Sequence, residues 1–143
     1  MSPREGTWHI LVDGASRGNP GPAAAGVRIT DPEGLVLFEE GRALGRTTNN
    51  QAEYLALLIA LREAAALRAR RVHVRTDSQL LVRQMTGEYR VKNPALQDLH
   101  AEAGRLARGF EAFDIEWVNR EESAAADRLA NEALRQAPKR PRR

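Results

Sequence analysis

The chain has 143 residues, 42% apolar and 29% charged, the proportions of a soluble domain with room for one sizeable core. It has no cysteine, which excludes disulfides, zinc–thiolate sites and cysteine nucleophiles. The net charge of +3 is unevenly placed: Lys139, Arg140, Arg142 and Arg143 carry four positive charges, and elsewhere 18 basic side chains face 19 acidic ones.

Residues 8–13 read as a strand buried on both faces, ending at Asp13. A loop dense in Gly, Pro, Ser and Asn follows to Pro22, then a second strand over 24–30. Asp31-Pro32-Glu33-Gly34 is a turn by composition, leading into a third strand over 35–40 and completing an antiparallel meander. A helix over 50–67 is apolar on nearly every face between Ala52 and Leu61, with Glu53 its one charge there. A fourth strand over 71–76 precedes a helix over 78–86, stopped by Gly87. Asn93-Pro94 opens a third helix with the stripe Leu96, Leu99, Ala103 and Leu106. A fifth strand covers 113–118. Ser123 caps a last helix with the stripe Ala126, Leu129, Ala130, Ala133 and Leu134.

These elements predict an α/β fold: one five-stranded mixed sheet, three antiparallel strands then two parallel, with helices on both faces. One domain is expected over residues 1–137, with 138–143 as a disordered basic tail that can act as a weak electrostatic arm. No apolar run approaches the ~20 residues needed to span a bilayer. Residues 1–6 lack the apolar core of a secretory signal, so a cytoplasmic protein with no membrane partner is expected.

Four carboxylates stand where patterned elements meet turns or helix starts: Asp13, Glu53, Asp77 and Asp127. Each has a structural reading. Asp13-Gly14 suits a turn, Asp77-Ser78 a helix cap, Asp127 a helix N-terminus, and Glu53 a solvated helix face. Against this, Glu53 lies in a segment patterned for burial, where a carboxylate needs a partner or a metal. Acids that converge raise one another's pKa, so a cluster of four serves to hold hard divalent cations such as Mg²⁺ or Mn²⁺ rather than to stabilise the fold.

The segments around these acids extend from residue 8 to about 135. They are Asp13-Gly14-Ala15-Ser16-Arg17-Gly18-Asn19-Pro20-Gly21-Pro22, Thr47-Thr48-Asn49-Asn50-Gln51-Ala52-Glu53-Tyr54, Thr76-Asp77-Ser78-Gln79 and Ala126-Asp127-Arg128-Leu129-Ala130-Asn131. In this order and spacing they resemble the type I ribonuclease H family. The resemblance implies a ribonuclease H-like fold and two-metal hydrolysis of the RNA strand of RNA–DNA hybrids. It implies that Asp13, Glu53, Asp77 and Asp127 are catalytic metal ligands for two Mg²⁺ ions, with Mn²⁺ able to substitute. By matching positions, Asn50, Gln79 and Glu53 resemble residues at the RNA strand, and Asn19, Thr48 and Asn49 residues at the DNA strand. Without it, the Asn49-Asn50 pair reads as helix capping, and Asn50 can serve both roles.

The chain departs from the family pattern twice. Residues 86–93 are a short form of the basic, Trp-bearing protrusion of many members, which moves hybrid affinity toward Arg46, Lys92 and the tail. The mobile His that many members place before the last acid is missing, and Arg120 or Glu122 could stand in for it. His9, His73 and His100 are assigned to packing or surface roles. The competing functions are a related nuclease acting on double-stranded RNA or DNA junctions, and a non-catalytic hybrid-binding module. A monomer is expected.

Overall fold

The computed structural model of the chain describes residues 6–137. The element order is β1 (Thr7–Ser16), β2 (Gly21–Thr30), β3 (Val36–Thr47), α1 (Asn49–Ala66), β4 (Arg71–Thr76), α2 (Gln79–Met85), α3 (Pro94–Arg108), β5 (Ala112–Trp117) and α4 (Ala124–Gln136). The five strands form one sheet in the order β3-β2-β1-β4-β5. β1–β2 and β2–β3 pair antiparallel, and β1–β4 and β4–β5 pair parallel, as the sequence predicts.

The meander is longer than predicted. β1 runs through Asp13 to Ser16, which pairs with Ala23, so Asp13 lies inside a strand rather than at its end. β3 continues past Glu40 to Thr47, opposite Gly21. Register shifts at Ala23/Ala24 and Ile29/Thr30 break its period-2 alternation, which hides the strand in the sequence. β1 is also not buried on both faces. Trp8, Ile10 and Val12 are buried, but His9 is exposed and Leu11 half-buried.

The core lies between the sheet and α1, with Leu96 and Ala103 of α3 joining it. Trp8, Ile10, Val12, Val27, Ile29, Val72, Val74 and Ile115 meet Tyr54, Leu57, Leu58 and Leu61. The all-round apolar run of α1 is accordingly buried, Glu53 included. α4 packs on the opposite face. A Cβ at Gly14 would meet the α1 backbone at Ala52, whereas one at Gly26, the strand partner of Asp13, would meet the α4 backbone at Ala126. Neighbouring residues of a strand point to opposite faces, so α1 and α4 sandwich the end of β1.

The caps of α1 and α4 differ from expectation. α1 starts from Thr48, whose hydroxyl accepts the Gln51 N–H, while the Gln51 side chain accepts the Thr48 N–H. This capping box takes the role the sequence offered to Asn50, which lies exposed in the first turn of the helix. Ser78 and Asn93 cap α2 and α3 by accepting the N–H groups of Leu81 and Ala95. Ser123 holds the cap position of α4 without a capping hydrogen bond, and its buried hydroxyl donates instead to the Arg120 carbonyl. No helix among the described residues is long and apolar enough to cross a membrane. The basic tail lies outside the described residues.

Candidate active site

β1 and β4 are parallel neighbours in which Leu11 pairs with Arg75. Two residues further along each chain, Asp13 and Asp77 come level at the same end of the sheet. α1 begins beside that end. Because Gly14 has no side chain, the helix backbone closes on the strand, and Glu53 is drawn in to accept the Gly14 N–H at 2.8 Å. Thr76 Oγ1 reaches toward the other Glu53 oxygen at 3.5 Å. Carboxylate oxygens of Asp13, Glu53 and Asp77 lie within 4.8 Å of one another. Asp13 and Glu53 are buried and Asp77 half-buried.

Asp127 comes from the other face, in the first turn of α4. It stands outside the tight trio but lines the same cavity as Asp13. Its carboxylate accepts from the Asn131 side chain at 3.1 Å, an i, i+4 contact along the helix. The cavity has a volume of about 410 Å³, and Ser16, Asn49, Ser78, Arg120 and Asn131 contribute to its wall.

The electrostatics follow from this crowding. Burial, then the charges of Glu53, Asp77 and Asp127, push the Asp13 carboxyl up to about 9. Burial and Asp77 push Glu53 up to about 8, opposed by the Gly14 N–H and hydrogen bonds from Asp13 and Thr76. Carboxyls that resist joint ionisation form a site that a divalent cation relieves, and an all-oxygen donor set suits a hard ion. Arg120, largely exposed, approaches Asp77 Oδ2 at 3.7 Å, the one basic side chain in the cavity wall among the described residues.

The other predicted residues are divided. Asn19 accepts the Asn49 N–H at 3.0 Å, tying the β1–β2 loop to the start of α1, and Thr48 stands beside them as the cap. Asn49 reaches the cavity, Asn50 is exposed on the next helix position, and Gln79 is exposed as the first residue of α2. Glu122 is exposed and does not line the cavity; its N–H is held by the Asn119 side chain. None of the three histidines reaches the site. His73 contacts Asp114 and Glu116 at 2.8 Å each, His9 lies edge-on to His73, and His100 meets the Gln84 carbonyl. Sequence reasoning missed Ser16 and Asn131, although both lie inside the quoted segments. The i, i+4 spacing of Asp127 and Asn131 was the available signal for the second.

Residues 11–133 match the family model described as reverse transcriptase-like. Ribonuclease HI of Halobacterium salinarum is 45% identical over 131 residues, covering 92% of this chain and 66% of that protein. The crystal structure of that archaeon's RNase H1 superposes with a TM-score of 0.89 at 45% identity, over 92% of this chain and 100% of the other. The chain belongs to the ribonuclease H family. Ribonuclease H of Halorhodospira halophila is 34% identical over 94% of this chain and 97% of its own length. LC11-RNase H1, solved in complex with an RNA/DNA hybrid, superposes with a TM-score of 0.84 at 41% identity, covering 90% and 97% of the two chains. The ribonuclease H domain thus accounts for nearly all of the described chain. It spans about two thirds of the Halobacterium protein and 35% of similar mycobacterial ones, among them the bifunctional protein of Mycobacterium tuberculosis.

Proposed function

We propose that this domain is an endoribonuclease that hydrolyses the RNA strand of RNA–DNA hybrids with Mg²⁺, leaving 5′-phosphate and 3′-hydroxyl ends. The observation that carries the proposal is the trio of Asp13, Glu53 and Asp77, with oxygens within 4.8 Å in a cavity that Asp127 also lines. Its support is family membership and the hybrid bound by LC11-RNase H1.

Asp13, Glu53, Asp77 and Asp127 would hold two Mg²⁺ ions, or Mn²⁺ in their place. Bound there, such ions supply an activated water and a counter-charge for the leaving oxygen. The protein's own residues orient the reactants. Glu53, held by the Gly14 N–H, would accept from a ribose 2′-hydroxyl, the group that separates RNA from DNA. Asn50 and Gln79 flank the RNA strand with neutral donors, and Asn19, Thr48 and Asn49 form a joined polar ledge for the DNA strand. Arg120 contributes a positive charge at the rim. The domain acts as a cytoplasmic monomer in this reading.

The test is incubation with labelled RNA–DNA hybrid, RNA–RNA, DNA–DNA, a DNA four-way junction and single-stranded RNA, in Mg²⁺, Mn²⁺ or chelator. Hybrid-selective cleavage that needs metal is expected. Cleavage in excess chelator, or 2′,3′-cyclic phosphate products, would falsify the proposal. Binding without cleavage would mark a hybrid-binding module.

A further inference from the structure

Resting on the reading that the acidic cluster holds divalent cations, we infer that Trp117 is a positioning residue for Asp77. The two tryptophans of the chain differ sharply. Trp8 is 3% exposed and belongs to the core, whereas Trp117, the last residue of β5, is 48% exposed. Its indole Nε1–H donates to the Asp77 carbonyl at 3.2 Å.

This bond fills a specific gap. Thr76 is fixed on the Asp77 N-terminal side: it pairs with Trp117 in the sheet, and its carbonyl accepts the Val118 N–H at 2.9 Å. On the other side the Ser78 N–H donates to Thr76 Oγ1, and the Ser78 carbonyl accepts the Val82 N–H at 3.2 Å, beginning the α2 ladder. The Asp77 carbonyl lies one residue ahead of that ladder and accepts the indole N–H instead. The peptide between Asp77 and Ser78 is therefore held by two side chains, its N–H by Thr76 Oγ1 and its carbonyl by Trp117 at the end of an edge strand. Rotation of that peptide alters the backbone angle from which the Asp77 side chain projects toward Asp13 and Glu53. Three residues beyond Trp117, Arg120 approaches the same Asp77 at its carboxylate. The end of β5 and the turn after it thus grip Asp77 at both its backbone and its side chain.

Trp117→Phe removes the N–H and keeps an aromatic ring on a surface position. Calorimetric titration of Mg²⁺ into the nucleic-acid-free protein should show affinity weakened about three- to tenfold, the range for one lost hydrogen bond. The Michaelis constant for hybrid should stay unchanged, and turnover should recover as Mg²⁺ is raised. Asp77→Asn, run alongside, should lose most of the binding. Wild-type Mg²⁺ affinity in Trp117→Phe, with binding lost in Asp77→Asn, would overturn the inference and leave the metal reading standing. Unchanged binding in both variants would sink the metal reading and the inference with it. A measurement on the unaltered protein guards against a variant that fails to fold: the Trp117 indole N–H and Ser78 amide NMR signals should move together as Mg²⁺ is added. A Ser78 signal that moves while the indole signal stays fixed overturns the inference.

Discussion

Gly14 and Glu53, 39 residues apart in sequence, share a 2.8 Å hydrogen bond because Gly14 lets α1 lie directly on β1. A Cβ at Gly14 would stand 2.4 Å from the Ala52 carbonyl carbon, which is backbone and has no rotamer to escape into. Gly14→Ala should therefore destabilise the protein by roughly 1–3 kcal/mol, as overpacking does. It should also weaken Mg²⁺ binding by displacing Glu53. Thermal melting and Mg²⁺ titration check both parts; a wild-type melting temperature would show that the helix yields freely.

Asp13→Asn removes a charge at nearly constant volume from the most crowded point of the site. Turnover should fall at least ~100-fold, the upper end of losses from disturbing even the partners of metal ligands. Above pH 9, where Asp13 is ionised, the metal-free variant should melt at the same or a higher temperature, since repulsion among the acids falls. Hydrolysis rates in Mg²⁺ and melting in chelator measure the two effects. Near wild-type turnover would remove Asp13 from the central ligands.

The raised carboxyls make stability depend on pH in a defined direction. Asp13 and Glu53 reach about 9 and about 8 in the fold, from ordinary values of 3.8 and 4.5. The folded state thus holds more protons than the unfolded chain between these limits. Their stabilising contribution is complete below pH ~4 and is lost as pH rises toward 8–9. Metal-free protein should become less stable across that window, and Mg²⁺ should bind more tightly as pH rises because binding expels the protons. Denaturant titrations at several pH values, with and without Mg²⁺, test this. Rising metal-free stability over the window would contradict it.

Tyr54, next to Glu53 on α1, donates its buried hydroxyl to Gln84 Oε1 on α2 at 2.7 Å. Tyr54→Phe leaves that acceptor unpaired inside the protein, at about 1–3 kcal/mol. Activity per folded molecule should change little, because neither residue lines the acidic cavity and Gln84 lines a separate one beside α3. Chemical denaturation measures the loss. A large fall in turnover with unchanged stability would give the pair a catalytic role.

Asn50→Ala and Gln79→Ala should raise the Michaelis constant for hybrid more than they lower turnover. Both side chains are exposed, and in the proposed substrate-contact role their loss removes uniform substrate binding. Steady-state kinetics decide this. Unchanged Michaelis constants for both would remove these residues from the substrate surface.

Local pattern determined most of the elements. The unbroken apolar run of α1, the Asn93-Pro94 start of α3 and the strand over 71–76 depend on residues adjacent in sequence, and each lies where the pattern places it. The four acids were legible for a different reason: the segments around them resemble a family, and Glu53 sits in a run patterned for burial. Tertiary structure decided what depends on contacts between distant segments. The second half of β3 follows from pairing with Gly21–Gly26 across a bulge at Ala23/Ala24 that interrupts its alternation. Thr48 rather than Asn50 caps α1 because Gln51 reaches back to it. The closeness of three acids, with Asp127 just outside their trio, comes from parallel pairing of β1 with β4 and from two helices clamping one strand end on opposite faces. The indole bond from Trp117 to Asp77 joins residues 40 apart in sequence and leaves no periodic trace, so only the folded chain could disclose it.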